Sequence, residues 1–192
     1  MTLHTGSQSW EYDDNSHSYI EETKLLPTDP NGNGLVDGQT FQIFNPAQIR
    51  DVVWEDGQVG GIANSQTVEI YSKDNTRNVT SNYVIAEDFG TLTITPRYVT
   101  LHTESQSWIY DDIEHSYPEN TQLIAGEGVS GGLVSGQTFT VIEHAKIRDV
   151  IWNGREVCSM PNKPTFKILS ADRSRNVINN YVITEEDRKS VV

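Results

Sequence analysis

Ser7-Gln8-Ser9-Trp10-Glu11-Tyr12-Asp13-Asp14 returns as Ser105-Gln106-Ser107-Trp108-Ile109-Tyr110-Asp111-Asp112, one residue changed, at a shift of 98. The same shift relates Leu3-His4-Thr5 to Leu101-His102-Thr103 and Gly38-Gln39-Thr40-Phe41 to Gly136-Gln137-Thr138-Phe139. It also relates Ile49-Arg50-Asp51-Val52 and Trp54 to Ile147-Arg148-Asp149-Val150 and Trp152, and Asn82-Tyr83-Val84-Ile85 to Asn180-Tyr181-Val182-Ile183. The shift never changes, so the copies align without a gap. Fixed-period self-similarity marks a chain built from repeated modules. The reading is two domains, 1–96 and 97–192, joined near Pro96-Arg97. Proline fixes its own φ and restricts its neighbour, so the joint is expected to be short and stiff.

Inside each copy the apolar residues alternate with polar ones. Leu92 and Ile94 lie between Thr91, Thr93 and Thr95; Val68 and Ile70 lie beside Thr67 and Glu69; Phe139 and Val141 interleave with Thr138 and Thr140. Period-2 alternation predicts half-buried strands, and no window shows a helical stripe. Turn residues interrupt the runs at Asp56-Gly57, Asn153-Gly154 and Asp88-Phe89-Gly90. Short strands punctuated by turns over about 95 residues predict an all-β fold, two tandem immunoglobulin-like β-sandwich domains. A β-grasp is the alternative, and it needs a helix near residues 46–49. A hairpin turn is expected at 74–77, with its return limb at 79–85. The closing Thr91–Thr95 strand is expected to lack a counterpart in copy two.

Composition narrows the function. The net charge is −13. Nucleic acid and anionic lipid are therefore poor partners, since both require clustered Lys and Arg. Only one cysteine is present, Cys158, so no intrachain disulfide can form. No apolar run approaches the ~20 residues of a membrane span. The opening Met1-Thr2-Leu3-His4-Thr5 does not read as a signal peptide. It reads as a repeat with a methionine placed before it, which predicts a piece cut from a longer protein.

Asp13-Asp14 and Asp111-Asp112 are acid pairs, but adjacent strand residues point to opposite faces, and Asp in such places caps turns. Asp29, Asn31, Asn33 and Asp37 have the spacing of a calcium loop, yet Thr40 stands where a bidentate Glu belongs and copy two lacks the ligands, so the loop is only a weak metal candidate. The histidines lack zinc spacing; His17 and His115 are expected to support the loop after Tyr-Asp-Asp. No Gly-x-Ser-x-Gly elbow and no lysine shared by the copies points to catalysis or an isopeptide bond. No enzyme activity and no cofactor is expected. The aromatic pairs remain: Trp10 with Tyr12 and Trp108 with Tyr110, two residues apart and therefore on one strand face, are the candidate ligand-binding residues, able to stack on a sugar or a partner side chain. Trp54 and Trp152 are expected in the core or packed on a hairpin.

The ordered motifs Tyr12-Asp13-Asp14, Gly34-Leu35-Val36-Asp37-Gly38, residues 78–83 and residues 90–94, met again at Tyr110-Asp111-Asp112, Gly132-Leu133-Val134-Ser135-Gly136 and 176–181, resemble the MBG-type (YDG-type) repeats of bacterial cell-surface, adhesin-like proteins. The resemblance covers nearly the whole chain, twice. Asp14 and Asp112 replace the family's usual glycine, and Ile178 replaces Thr80. It implies a non-enzymatic extracellular module, attached to the cell wall or secreted, serving as a rigid stalk or spacer beside further repeats of the same chain. The alternative is a module that binds glycan or a host surface protein through its exposed Trp and Tyr.

Overall fold

A computed structural model describes residues 1–28, 34–126, 131–186 and 189–190. Among the described residues no α-helix occurs; two short 3-10 turns, Thr80–Asn82 and Ile178–Asn180, accompany strands gathered into several small sheets. The chain separates into two compact units, Met1–Thr95 and Pro96–Val192.

Unit one runs β1 (Thr2–His4), β2 (Gln8–Glu11), β3 (Lys24–Leu26), β4 (Thr40–Phe44), β5 (Trp54–Glu55), β6 (Gln58–Val59), β7 (Ile62–Ala63), β8 (Thr67–Tyr71), β9 (Ala86–Asp88) and β10 (Thr91–Thr95). Its first two strands lie beside and parallel to its last two. β1 pairs with β9 from Thr2↔Ala86 to His4↔Asp88, and β2 pairs with β10 from Gln8↔Leu92 to Glu11↔Thr95. Parallel neighbours need a long crossover; here the crossover is everything between. β3 joins β1 and β7 joins β10, both antiparallel. The break between β1 and β2 faces the break between β9 and β10. There the Gly90 amide donates to the Thr5 carbonyl at 3.0 Å. A Cβ on Gly90 would stand 2.3 Å from the Gly6 carbonyl oxygen, so only glycine admits this approach.

The second layer of strands is β4 with β8, antiparallel from Thr40↔Tyr71 to Phe44↔Thr67. The alternation seen in the sequence is the alternation of burial. Val68 and Ile70 of β8 and Leu92 and Ile94 of β10 are buried, joined by Leu3, Tyr12, Ile49, Val52 and Val79. One buried polar residue anchors this core. Asn64 donates through Nδ2 to the carbonyls of Gly6 and Tyr19, each at 2.9 Å, and its own carbonyl accepts from Thr5 Oγ1 at 3.0 Å. These bonds offset the cost of burying an amide.

Unit two repeats the plan with β11 (Arg97–His102), β12 (Gln122–Ala125), β13 (Thr138–Glu143), β14 (Ile151–Asn153), β15 (Glu156–Cys158), β16 (Met160–Pro161), β17 (Thr165–Leu169), β18 (Tyr181–Glu185) and β19 (Lys189–Ser190). β11 pairs parallel with β18, from Arg97↔Tyr181 to Leu101↔Glu185. Leu101, Ile147, Ile168 and Val177 are buried, each 98 residues after a buried residue of unit one. Asn162 repeats the anchor, donating to the carbonyls of Glu104 at 2.8 Å and Tyr117 at 3.0 Å.

Three expectations change. Residues 46–49 are not helical; Ile49 forms an isolated bridge with His17, so the helix a β-grasp requires is not at that place. The turn at 74–77 is present: Asp74 accepts from Ser72 Oγ at 2.6 Å and from the Thr76 amide at 3.2 Å. Its return limb in unit one is only the bridge Tyr71↔Asn78, because the Asn78 side chain accepts from both the amide and the hydroxyl of Thr80 and coils the chain into a 3-10 turn. The closing strand of copy two has a backbone counterpart: β19 pairs Pro161↔Lys189 and Met160↔Ser190, the register of Ala63↔Thr91 and Ile62↔Leu92.

Separate cores make a testable statement. Ile70→Ala is expected to cost about 2–5 kcal/mol and to lower only one of two transitions in differential scanning calorimetry, with Ile168→Ala lowering the other. A common shift of one transition would show a shared core.

Candidate functional site

The Tyr-Asp-Asp motif closes β2 with a sharp reversal. Asp14 has φ 66° and Asp112 has φ 64°. This left-handed conformation suits glycine, and Asp is among the few other residues that visit it. Aspartate at this position is therefore compatible with the left-handed turn. Arg50 secures it: its Nη2 and Nε donate to Asp14 Oδ1 at 2.9 and 3.1 Å, and Nε also donates to the Asp14 carbonyl at 3.0 Å. Arg148 holds Asp112 in the same way at 2.8 and 3.2 Å.

The first aspartate organises the loop that follows. Asp13 accepts from the Asn15 amide at 2.9 Å and from Asn15 Nδ2 at 3.0 Å, and His17 Nε2 bonds to its Oδ1 at 2.9 Å. Partial burial pushes the Asp13 carboxyl up, but the hydrogen bonds from Asn15 and His17 outweigh it and hold the group down at about 2. The His17 ring stacks on Trp10, centroids 4.8 Å apart and planes 19° apart. Its backbone exchanges two hydrogen bonds with Ile49, at 2.8 and 2.9 Å. Unit two repeats the stack, with His115 on Asp111 at 2.9 Å, stacked on Trp108 at 5.0 Å and 14°, bridged to Ile147, but Ile113 in place of Asn15 gives Asp111 only a backbone amide, at 3.0 Å. The hydrogen bond from His115 is the main cause holding the Asp111 carboxyl below the ordinary range. Trp, Asp-Asp, His and Arg, scattered along the sequence, form one clasp. Its chemistry is structural: His17 commits Nε2 to Asp13 and a ring face to Trp10.

The expected aromatic face changes accordingly. Tyr12 is 0% exposed and its amide donates to the Thr95 carbonyl at 2.9 Å, so it is a core residue and not half of a surface patch. Trp10 is half-buried under His17. In unit two Tyr110 is 52% and Ile109 91% exposed. Trp108 is half-buried. Of the weak metal candidates, Asp29, Asn31 and Asn33 lie outside the described residues and Asp37 is exposed; among the described residues no three His, Cys, Asp or Glu side chains converge on a metal-sized site.

Two concavities adjoin these elements. One, walled by Trp108, His115, Lys146 and Asn162, has a volume of about 10 Å³, room for roughly one water and not a sugar ring. The other is an open groove of about 320 Å³ over Ser7, Gln8, Ser9, Thr91 and Thr93, with no titratable side chain in its walls.

Of the two places expected for Trp54 and Trp152, the core and a hairpin, the structure gives them the hairpin. They are not core. β5–β6 and β14–β15 are two-residue hairpins, with Trp54 opposite Val59 and Trp152 opposite Val157. Asp56 and Gly57 both have positive φ, as a type I′ turn requires; in the second hairpin Gly154 supplies a positive φ at the first turn position. Trp54 is 40% and Trp152 61% exposed. The Asp-Gly and Asn-Gly dipeptides signal such hairpins, but which side of the ribbon faces water is a tertiary fact. Comparison with known proteins finds no matching family model, no matching curated protein and no matching solved structure.

The clasp predicts a pH response. The Asp13 pKa is depressed from 3.8 to about 2, so its contribution to stability is fully present above pH 3.8 and is lost as pH falls through about 2. Melting temperatures measured from pH 5 to pH 2 should fall for the native chain and fall less steeply for Asp13→Asn. Parallel curves for the two would contradict the role given to Asp13.

Proposed function

We propose that each unit is a non-enzymatic spacer repeat that carries tension along an extracellular, cell-surface protein of the MBG type. One observation carries this reading: in each unit the opening strands are hydrogen-bonded in parallel to strands near its end, β1 and β2 to β9 and β10, and β11 to β18. The chain enters unit one at the Thr2 end of β1 and leaves it at the Thr95 end of β10, and these ends lie at opposite limits of the paired strands. Pulling them apart slides the strands along each other and strains all the bridging hydrogen bonds together. Antiparallel neighbours pulled from adjacent ends would open one bond at a time.

Side chains tie the same two strands. His4 Nδ1 and Asp88 meet at 2.7 Å across β1 and β9, and His102 Nδ1 and Glu186 at 2.5 Å in the corresponding place in unit two. Thr100 and Thr184 hydroxyls meet at 2.9 Å across β11 and β18. Each tie is exposed and individually weak, but all lie in the path of the force.

The immunoglobulin-like sandwich reading of each unit is supported by β8 and β10, both of which turn alternate apolar side chains inward; the parallel terminal pair is its departure from a purely antiparallel sandwich. The placement at the cell surface rests on the resemblance of the repeated motifs to MBG-type repeats. The net charge of −13 supports a surface that repels copies of itself and nucleic acid.

Single-molecule stretching of the chain from its two ends tests the reading. Two unfolding steps are expected, each releasing roughly 300 Å of chain at ~3.3–3.6 Å per residue. Pulling unit one instead between Thr2 and Leu26, direct antiparallel partners on β1 and β3, should need a clearly lower force. Equal forces in the two geometries would remove the mechanical basis of the proposal.

A further inference from the structure

Unit two buries two polar side chains that lack the partners their counterparts have in unit one. In unit one the Thr5 hydroxyl donates to the Asn64 backbone carbonyl and accepts from the Gly90 amide, both at 3.0 Å. The Asn64 side-chain oxygen accepts from Gln66 Nε2 at 3.4 Å. Thr103 and Asn162 are the equivalent residues, 3% and 5% exposed. Asn162 spends its Nδ2 on the carbonyls of Glu104 and Tyr117. Proline stands at position 164, where unit one has Gln66. Among the described residues no donor reaches Asn162 Oδ1, and the Thr103 hydroxyl forms no hydrogen bond. Buried polar atoms of this kind call for a partner, whether an ion or a water. Both residues line one cavity of about 20 Å³, room for a single ion or water. Lys163, Glu185 and Glu186 stand in the wall of the same cavity.

The geometry points to a calcium site in unit two, held by the Thr103 hydroxyl, the Asn162 side-chain carbonyl and the carboxylates of Glu185 and Glu186. All four ligands are oxygens, which suit a hard cation, and two carboxylates balance a divalent charge. Calcium fits better than magnesium. Magnesium demands a near-ideal octahedron and sheds water reluctantly, whereas calcium accepts an irregular oxygen set completed by water. Glu186 meets His102 Nδ1 at 2.5 Å; a carboxylate has lone pairs enough to serve a ring nitrogen and a metal together. Glu185 meets Lys163 Nζ at 2.6 Å, and that lysine is 60% exposed. Its flexible stem lets it swing aside, so Lys163 competes with the ion and keeps the affinity modest. A bound ion would join the chain just after β11, the 161–163 segment and the end of β18. Unit one has Glu87 and Asp88 at the matching positions, but its Thr5 and Asn64 oxygens are already committed, so the inference is one ion per chain. It does not rest on the spacer reading, since the ion would be held whether or not the unit carries tension.

Amide chemical shifts of the whole chelator-treated chain, followed through a CaCl2 titration, test the assignment. One saturable site with a Kd of about 10⁻⁴–10⁻³ M is expected, with the shifts centred on residues 101–103, 162–163 and 185–186 and a weaker response to MgCl2. Glu186→Gln, a change at an exposed side chain, should weaken binding about tenfold or more. Lys163→Gln, which frees Glu185, should strengthen it severalfold. Thr103→Val should weaken it too; should that variant fail to fold, the two surface variants decide. At about ten times Kd, calcium should raise the melting temperature of unit two by on the order of 5 °C and leave that of unit one where it is. No response to calcium, which would leave the cavity to water, overturns the proposal. So do shifts spread over the acidic surface without saturation, two equivalent sites, or unchanged affinity in Glu186→Gln.

Discussion

Each unit depends on a parallel pairing between strands that are remote in sequence, β1–β2 against β9–β10 and β11 against β18. Parallel neighbours cannot be closed by a tight turn, so the remaining strands form one long crossover that must leave the sheet and return to it. The β4–β8 layer, the hairpin and the 3-10 turn are the parts of that crossover. Most of them bury apolar residues against the terminal pair, and the pair in turn supplies Leu3, Leu92 and Ile94 to the core.

The crossover is pinned at a few polar points, repeated in both units. The buried amides of Asn64 and Asn162 each hold carbonyls on two segments at once. The Tyr83 hydroxyl bonds to the Gln39 side chain and accepts from the Val36 amide; Tyr181 does the same to Gln137 and Val134. This is why the Gly-Leu-Val-x-Gly-Gln and Asn-Tyr motifs travel together though more than forty residues apart. The Asp13–His17–Trp10 stack and the Asp14–Arg50 pair fix the turn after β2 to the strand bridge at Ile49. A chain of net charge −13 spends several of its acids here, each beside a donor. The carboxylates lower their energy by accepting hydrogen bonds instead of repelling one another.

Much of this was legible in the chain. The duplication is arithmetic on Ser7 and Ser105. The strand character of 67–71 and 91–95 follows from alternation, because a strand with one buried face must alternate. Asp13-Asp14 reads as turn chemistry because Asp tolerates the left-handed backbone and accepts from nearby amides. The aromatics were not legible in the same way. Trp10, Tyr12, Trp54, Trp108, Tyr110 and Trp152 all sit in strand-like contexts, and period 2 says which residues share a face without saying which face is wet. Tyr12 and Tyr110 have nearly identical flanks, yet Tyr12 is in the core with its amide bonded to the Thr95 carbonyl, while Tyr110 is half in water.

Local chemistry, then, was determined by the sequence itself: two equal modules, short strands, hairpin turns at Asp56-Gly57 and Gly154, and an acidic surface. These depend on residues close together in the chain, whose backbone preferences and spacing act without knowledge of distant partners. The tertiary structure decided the parallel registration of β1 and β2 with β9 and β10 and of β11 with β18, the assembly of Trp10, Asp13, Asp14, His17 and Arg50 into one clasp, and the exposure of Trp54 and Trp152. Each of these is a contact between segments far apart in sequence, and hydrogen-bond registry and burial across such distances are set only when the whole unit has closed on itself.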